Sequence, residues 1–163
     1  MNILIADDEK MQRDILKNFL LKKGYNVKTA SNGEKALTMF SKHPFQLVLL
    51  DHKMPDINGD KVLAKIKKNN PLTHAIMITA YASVNTAVET MKLGANDFLE
   101  KPVDLLQLLD KIQIIEQRII IEKEVIDVTK ILKKQKLPIK FIGRSQAIKE
   151  VLSMAHRIAA TPC

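Results

Sequence analysis

The sequence predicts a doubly wound α/β domain on a five-stranded parallel sheet, continued by a long C-terminal helix. Three observations carry this expectation. Strand-like and helix-like segments alternate five times, the order that builds a parallel sheet with helices on both faces. Leu47 to Leu50 and Ala75 to Ile78 are apolar without alternation, as in strands covered on both sides. From Asp104 to Lys136, 33 residues contain neither Gly nor Pro.

The elements follow in order. Asn2 to Ala6 is a short apolar strand ending in acids. Glu9 to Lys23 carries Met11, Ile15, Leu16, Phe19 and Leu20 at helical spacing. Lys22, Lys23 and Gly24 then end that helix, with cations at the negative end of the dipole and a left-handed cap. Asn26 to Ala30 reads as a strand, and Ser31 with Glu34 as the capping box of a helix running to about Lys42. Phe45 to Asp51 is the most apolar strand. Asn58 to Asn69 is a helix with Val62, Leu63 and Ile66 on its apolar face. A strand over Ala75 to Thr79 follows, then a helix over Ser83 to Leu93 stopped by Gly94, then a short strand at Asp97 to Leu99. Right-handed crossovers leave few ways to connect these units.

Composition excludes several classes. Apolar residues make up 46% and charged residues 27%, ordinary for a globular chain and too apolar for a disordered one. No apolar run approaches the roughly 20 residues of a membrane span. The opening Met1 to Ala6 meets Asp7, Asp8 and Glu9 too early for a signal peptide, and the cytosol is the expected compartment. A lone Cys163 excludes a disulfide framework or a Cys-based metal site. The net charge is +8, with 17 basic against 14 acidic residues in 1–118 and 9 against 4 in 119–163. The tail excess reads as a solvated helix face; with two Tyr and no Trp, direct DNA binding is not expected.

At 1.5 Å per residue the last helix would be about 50 Å long, more than a small domain needs. Leu105, Leu108, Ile112, Ile115 and Ile119 form one apolar stripe, expected to pack on the sheet. Ile121, Val125, Val128 and Leu132 form a second with no sheet left to cover. A parallel helix pair is the simplest partner, so a homodimer is expected through this segment, with Ile112, Ile115, Ile119, Ile121, Val125, Val128 and Leu132 as candidate contacts. Docking on a following domain is the alternative.

The chemistry gathers at strand ends. Asp7 and Asp8 follow the first strand, Asp51 ends the third, Thr79 the fourth and Lys101 the fifth. In an open parallel sheet these positions converge at the carboxyl edge, where ligands bind. Alone, each has an ordinary explanation as a helix-start acid, a turn residue, a strand residue or a solvated lysine. Together, three carboxylates repel unless a cation joins them, and an all-oxygen donor set suits Mg²⁺. A metal, an ammonium and a hydroxyl around one carboxylate form a cradle for a phosphoryl group on Asp51.

These segments resemble the receiver domain of bacterial response regulators over residues 1–118: Ile3 to Glu9, Leu49 to Pro55, Ile78 to Tyr81 and Gly94 to Pro102 match in order and spacing. The resemblance implies a flavodoxin-like (CheY-like) strand order and Asp51 as phosphoacceptor for a sensor histidine kinase. It also implies Mg²⁺ held by Asp8, Asp51 and the Lys53 carbonyl, with Asp7 joined through water. Thr79, Ala80 and Lys101 would hold the phosphoryl group. Thr79 and Phe98 would be the switch pair, with the Phe98 ring exposed in the resting state. A cis bond is implied at Lys101–Pro102. Ile57-Asn58-Gly59 departs from the usual family turn, outside the expected metal shell.

Residues 139–163 resemble the opening of the AAA+ domain of NtrC-type, sigma-54-dependent activators, through Phe141 to Ile148, Val151 and Ile158-Ala159. The chain ends before any Gly-x-x-x-x-Gly-Lys-Ser/Thr loop, so it holds no such ATP cradle. The expected organisation is a receiver over 1–118, a linker helix over 119–138 and a fragment of the AAA+ domain over 139–163, the whole serving transcription activation. An unphosphorylated interaction module on the same fold, a flavin-binding protein and an aspartyl-phosphate phosphatase are the alternatives. Asp7-Asp8-Glu9 would repel a flavin phosphate, and Lys53 stands where a phosphatase would place its second Asp.

Overall fold

The computed structural model describes residues 1–80 and 84–134, with only the backbone of 84, 85 and 127–134. Contacts divide the chain into two compact units, Met1–Ile115 and Glu116–Cys163. Five strands, β1 (Asn2–Ala6), β2 (Asn26–Ala30), β3 (Leu47–Asp51), β4 (His74–Thr79) and β5 (Asp97–Glu100), alternate with five helices, α1 (Lys10–Lys22), α2 (Gly33–Lys42), α3 (Gly59–Asn69), α4 (Val84–Lys92) and α5 (Leu105–Lys134). All strand pairs are parallel, in the order β2-β1-β3-β4-β5. The doubly wound expectation holds.

Every residue of β3 and β4 is buried, the reason both read as unalternating apolar runs. Successive strand residues point to opposite faces of the sheet. Leu4, Ala6, Val48, Leu50, Ala75 and Met77 join Ala36 of α2 and Val62, Leu63 and Ile66 of α3 in one apolar cluster. Leu16 and Leu20 are the buried residues of α1, and Leu108, Ile112 and Ile115 those of α5.

Gly24 and Gly94 end α1 and α4 at φ +87° and +95°, in the left-handed region. A Cβ on Gly24 would touch nothing within 4 Å, so the demand there is conformational rather than steric.

Three expectations are corrected. The N-cap of α2 is Asn32, whose Oδ1 accepts from the Lys35 amide at 2.9 Å. Ser31, expected there, instead accepts from the Lys35 ammonium at 2.9 Å. Ile112 and Ile115, expected in a dimer contact, are 0% and 3% exposed within the first unit, and are therefore spent on the domain's own core. Phe98, expected to be exposed, is half-buried against the α2–α3 cluster.

Ile119 and Val125 are half-buried and Ile121 exposed, while the side chains of Val128 and Leu132 lie outside the described residues. Outside them too lie Gln135 and Lys136 of the expected helix, Tyr81 and the whole 139–163 segment. Among the described residues no helix is long and apolar enough to cross a membrane.

Candidate functional site

The parallel register brings the strand ends together. Ala6 pairs with Ala30 and Leu50, Asp51 with Ile78, and Thr79 with Glu100. Asp51 and Thr79, the last residues of β3 and β4, and the loops carrying Asp7, Asp8 and Lys101 therefore meet at the same edge of the sheet, as the topology requires.

Two of the three acids are buried, Asp7 at 0% and Asp51 at 5% exposure, while Asp8 is exposed. Carboxylate oxygens of all three lie within 4.8 Å of one another. The Lys101 ammonium stands 3.0 Å from Asp7 Oδ2, 3.0 Å from Asp51 Oδ2 and 3.1 Å from Glu9 Oε1. Burial pushes the Asp7 and Asp51 carboxyls above their ordinary value, and the adjacent ammonium pulls both back. The charge of Asp7 also raises Asp51. For Lys101, burial opposes the charged form, but the Asp7 and Asp51 carboxylates outweigh it and hold the ammonium above its ordinary range.

The backbone braces the cluster. Asp7 Oδ1 accepts from the Glu9 amide at 2.8 Å, and the Asp7 carbonyl accepts from Arg13 Nη1 at 2.6 Å. The Lys53 amide donates to the Asp51 carboxylate. The Lys101 amide donates to the Thr79 carbonyl at 2.8 Å, and Lys101–Pro102 is cis, as the resemblance implied. Asp7 Oδ2 is buried against the Lys101 ammonium at 3.0 Å, a single contact that leaves it lone pairs to spare. A buried carboxylate oxygen with spare lone pairs, in an all-oxygen cluster, fits a hard divalent cation such as Mg²⁺.

Thr79 is buried beside a cavity of about 10 Å³ lined by His52, Met77, Thr79, Thr86, Ala87, Thr90 and Phe98. Ala80 follows Thr79 at the exposed end of β4.

Two groups escaped the sequence reading. Glu9 is the third acid on Lys101. Asp56 reaches across the loop after β3 to the start of α2, accepting from the Gly33 and Glu34 amides at 2.9 Å each. This carboxylate caps a helix from 22 and 23 residues away in sequence. Desolvation opposes it, but the amides of Glu34, Ile57, Gly33 and Asp56 itself together outweigh that and hold the carboxyl at about 2.

With its pKa below the unfolded value near 3.8, the Asp56 contribution to stability is fully present above about pH 4 and lost as pH falls through about 2. Asp56→Asn is therefore expected to lower the urea midpoint at pH 7. The gap to the wild type should narrow towards pH 2. A pH-independent gap would show that the ionised form is not what clamps α2.

Residues 3–113 match the response regulator receiver domain family. Transcriptional regulatory protein ZraR of Escherichia coli O157:H7 is 35% identical over 98% of this chain, which spans about a third (35%) of that relative's length. The signal receiver domain of a putative LuxO repressor protein from Vibrio parahaemolyticus superposes with a TM-score of 0.72 at 31% identity, covering 76% of this chain and 95% of that one. The Borrelia burgdorferi CheX–CheY–BeF3–Mg²⁺ complex matches with a TM-score of 0.67 at 29% identity, covering 69% and 86%. The family match, the strand order and the acid-lysine cluster agree: the chain belongs to the response regulator receiver domain family.

Proposed function

We propose that this chain is a phosphoacceptor switch in which Asp51 takes a phosphoryl group from the phosphohistidine of a sensor kinase. The observation that carries this is the Asp51 carboxylate, buried at the sheet edge, within 4.8 Å of the other two acids and 3.0 Å from Lys101. In the transfer the donor's P–N bond breaks as an Asp51 Oδ–P bond forms, and the freed imidazole leaves. The protein is acceptor and assistant to its own phosphorylation and dephosphorylation rather than an enzyme acting on another substrate.

Asp8, Asp51 and the Lys53 carbonyl would hold Mg²⁺, with Asp7 joined through water; the cation would supply charge neutralisation for the incoming oxygens. The similar CheY complex containing BeF3 and Mg²⁺ supports that reading. Lys101 would exchange a carboxylate oxygen for a phosphoryl oxygen, and Thr79 and the Ala80 backbone would hold another. The drawn-in Thr79 hydroxyl makes room for Phe98. A cavity of about 10 Å³ is far smaller than a phenyl ring, so Phe98 can enter only if the α4 side chains give way.

The output in the intact protein is homodimerisation through α5 and the linker, with Ile119, Ile121, Val125, Val128 and Leu132 as contacts. This would control an AAA+ domain and sigma-54-dependent transcription; the similarity to ZraR, a transcriptional regulatory protein, supports a transcriptional output. The chain itself would work in the cytoplasm and bind no DNA.

The test is intact mass after incubation with Mg²⁺ and a small phosphodonor. One phosphoryl adduct is expected, absent in Asp51→Ala and with a chelator. An adduct that survives Asp51→Ala would overturn the assignment.

A further inference from the structure

The Phe98 ring and α5 stand on opposite faces of the sheet. Phe98 packs against the cluster built from α2 and α3, and its neighbour Met77 on β4 belongs to that cluster. Asp97, one residue earlier on β5, must point the other way, and there it meets Lys111 of α5. A displacement of Phe98 therefore has no direct side-chain route to α5.

The Asp97 carboxylate supplies one. Its Oδ1 accepts from the Phe98 amide at 2.8 Å, and its Oδ2 meets the Lys111 ammonium at 2.5 Å. One rigid group thus grips the backbone of Phe98 with one oxygen and α5 with the other. The grip is partly sheltered, with the Lys111 side chain 21% and the Asp97 side chain 36% exposed, so solvent does not fully screen it. Lys111 sits between Leu108 and Ile112, the residues that seat α5 in the core.

We propose that Asp97 and Lys111 are a positioning pair that carries the state of Phe98 through the sheet to α5. The proposal rests on the phosphoacceptor reading of Asp51 and names how that site would be coupled to its output. Neither residue touches the acid cluster, so loss of the pair should uncouple α5 while leaving phosphorylation intact.

Amide exchange of the full chain, read over residues 105–115 with and without the phosphoryl group, tests this. In the wild type and in Lys111→Arg, phosphorylation should change α5 exchange. In Lys111→Gln the adduct should form at the wild-type rate and the α5 change should vanish. Asp97→Asn keeps an oxygen for the Phe98 amide but removes the charge; it should behave like Lys111→Gln and guards against a folding defect in either variant. An α5 response that persists in both variants, or phosphorylation that leaves wild-type α5 unchanged, would overturn the pair. A wild-type chain that takes no adduct would instead overturn the Asp51 assignment, and the proposal with it.

Discussion

Lys101→Met is expected to slow adduct formation at Asp51 by about a hundredfold, the usual effect of losing one aligned donor at a developing charge. The ammonium now serves three carboxylates at 3.0–3.1 Å. Without it, only the Glu9 and Lys53 amides still oppose the burial that already raises the Asp7 and Asp51 carboxyls. Only ionised Asp51 is a nucleophile. The pH at which the rate reaches half its maximum should therefore move upward in the variant, because a raised carboxyl pKa keeps Asp51 protonated to higher pH. Single-turnover phosphorylation by mass between pH 5 and 8, at one fixed sub-saturating Mg²⁺ concentration, measures both effects. An unshifted profile with a slower rate would mean that Lys101 acts on the phosphoryl group alone.

Gly59→Ala should be among the most damaging single-methyl changes in the domain. A Cβ at Gly59 would lie 2.1 Å from the Asp51 carbonyl oxygen and 3.0 Å from Met77 Cε. The near contact is backbone, not the end of a flexible side chain, so either α3 or the end of β3 must move. Overpacking of this kind costs about 3 kcal/mol. For a domain of this size that lowers the melting temperature by roughly 10–20 °C. Moving the end of β3 also moves Asp51, so phosphorylation should fall together with stability. Gly24→Ala is the informative comparison, because its Cβ would meet nothing and only the φ of +87° opposes it. A melting temperature for Gly59→Ala within two or three degrees of wild type would show that this approach is looser than the structure has it.

The sheet was legible because its signals are local. Unalternating runs at Leu47–Leu50 and Ala75–Ile78 announce burial on both faces, and the glycines at 24 and 94 announce helix ends. The candidate site was legible because four strand ends each carried a group that makes sense only beside the others. What sequence did not disclose were side chains serving distant backbone. Asp56 after Pro55 reads as a turn residue, and nothing near it shows that Gly33 and Glu34 are its partners. The pairing of Asp97 with Lys111 is equally silent, since helix spacing does not say which cation of α5 meets β5. At the start of α2, Ser31 and Asn32 are both good caps, and the backbone geometry chose the second. The candidate dimer contacts were drawn from both stripes of α5; burial takes Ile112 and Ile115 inside the domain with the first stripe and leaves Ile121 of the second exposed.

Lys101 gives the acid cluster an internal counterion. A zinc finger must be loaded to fold, because its ligands have no other partner. Here the polypeptide brings its own positive charge, so the domain is expected to fold without a divalent ion. A chelator should silence phosphorylation without unfolding the chain, and fluctuating Mg²⁺ in a cell would alter how fast the signal is written rather than how much protein survives to receive it.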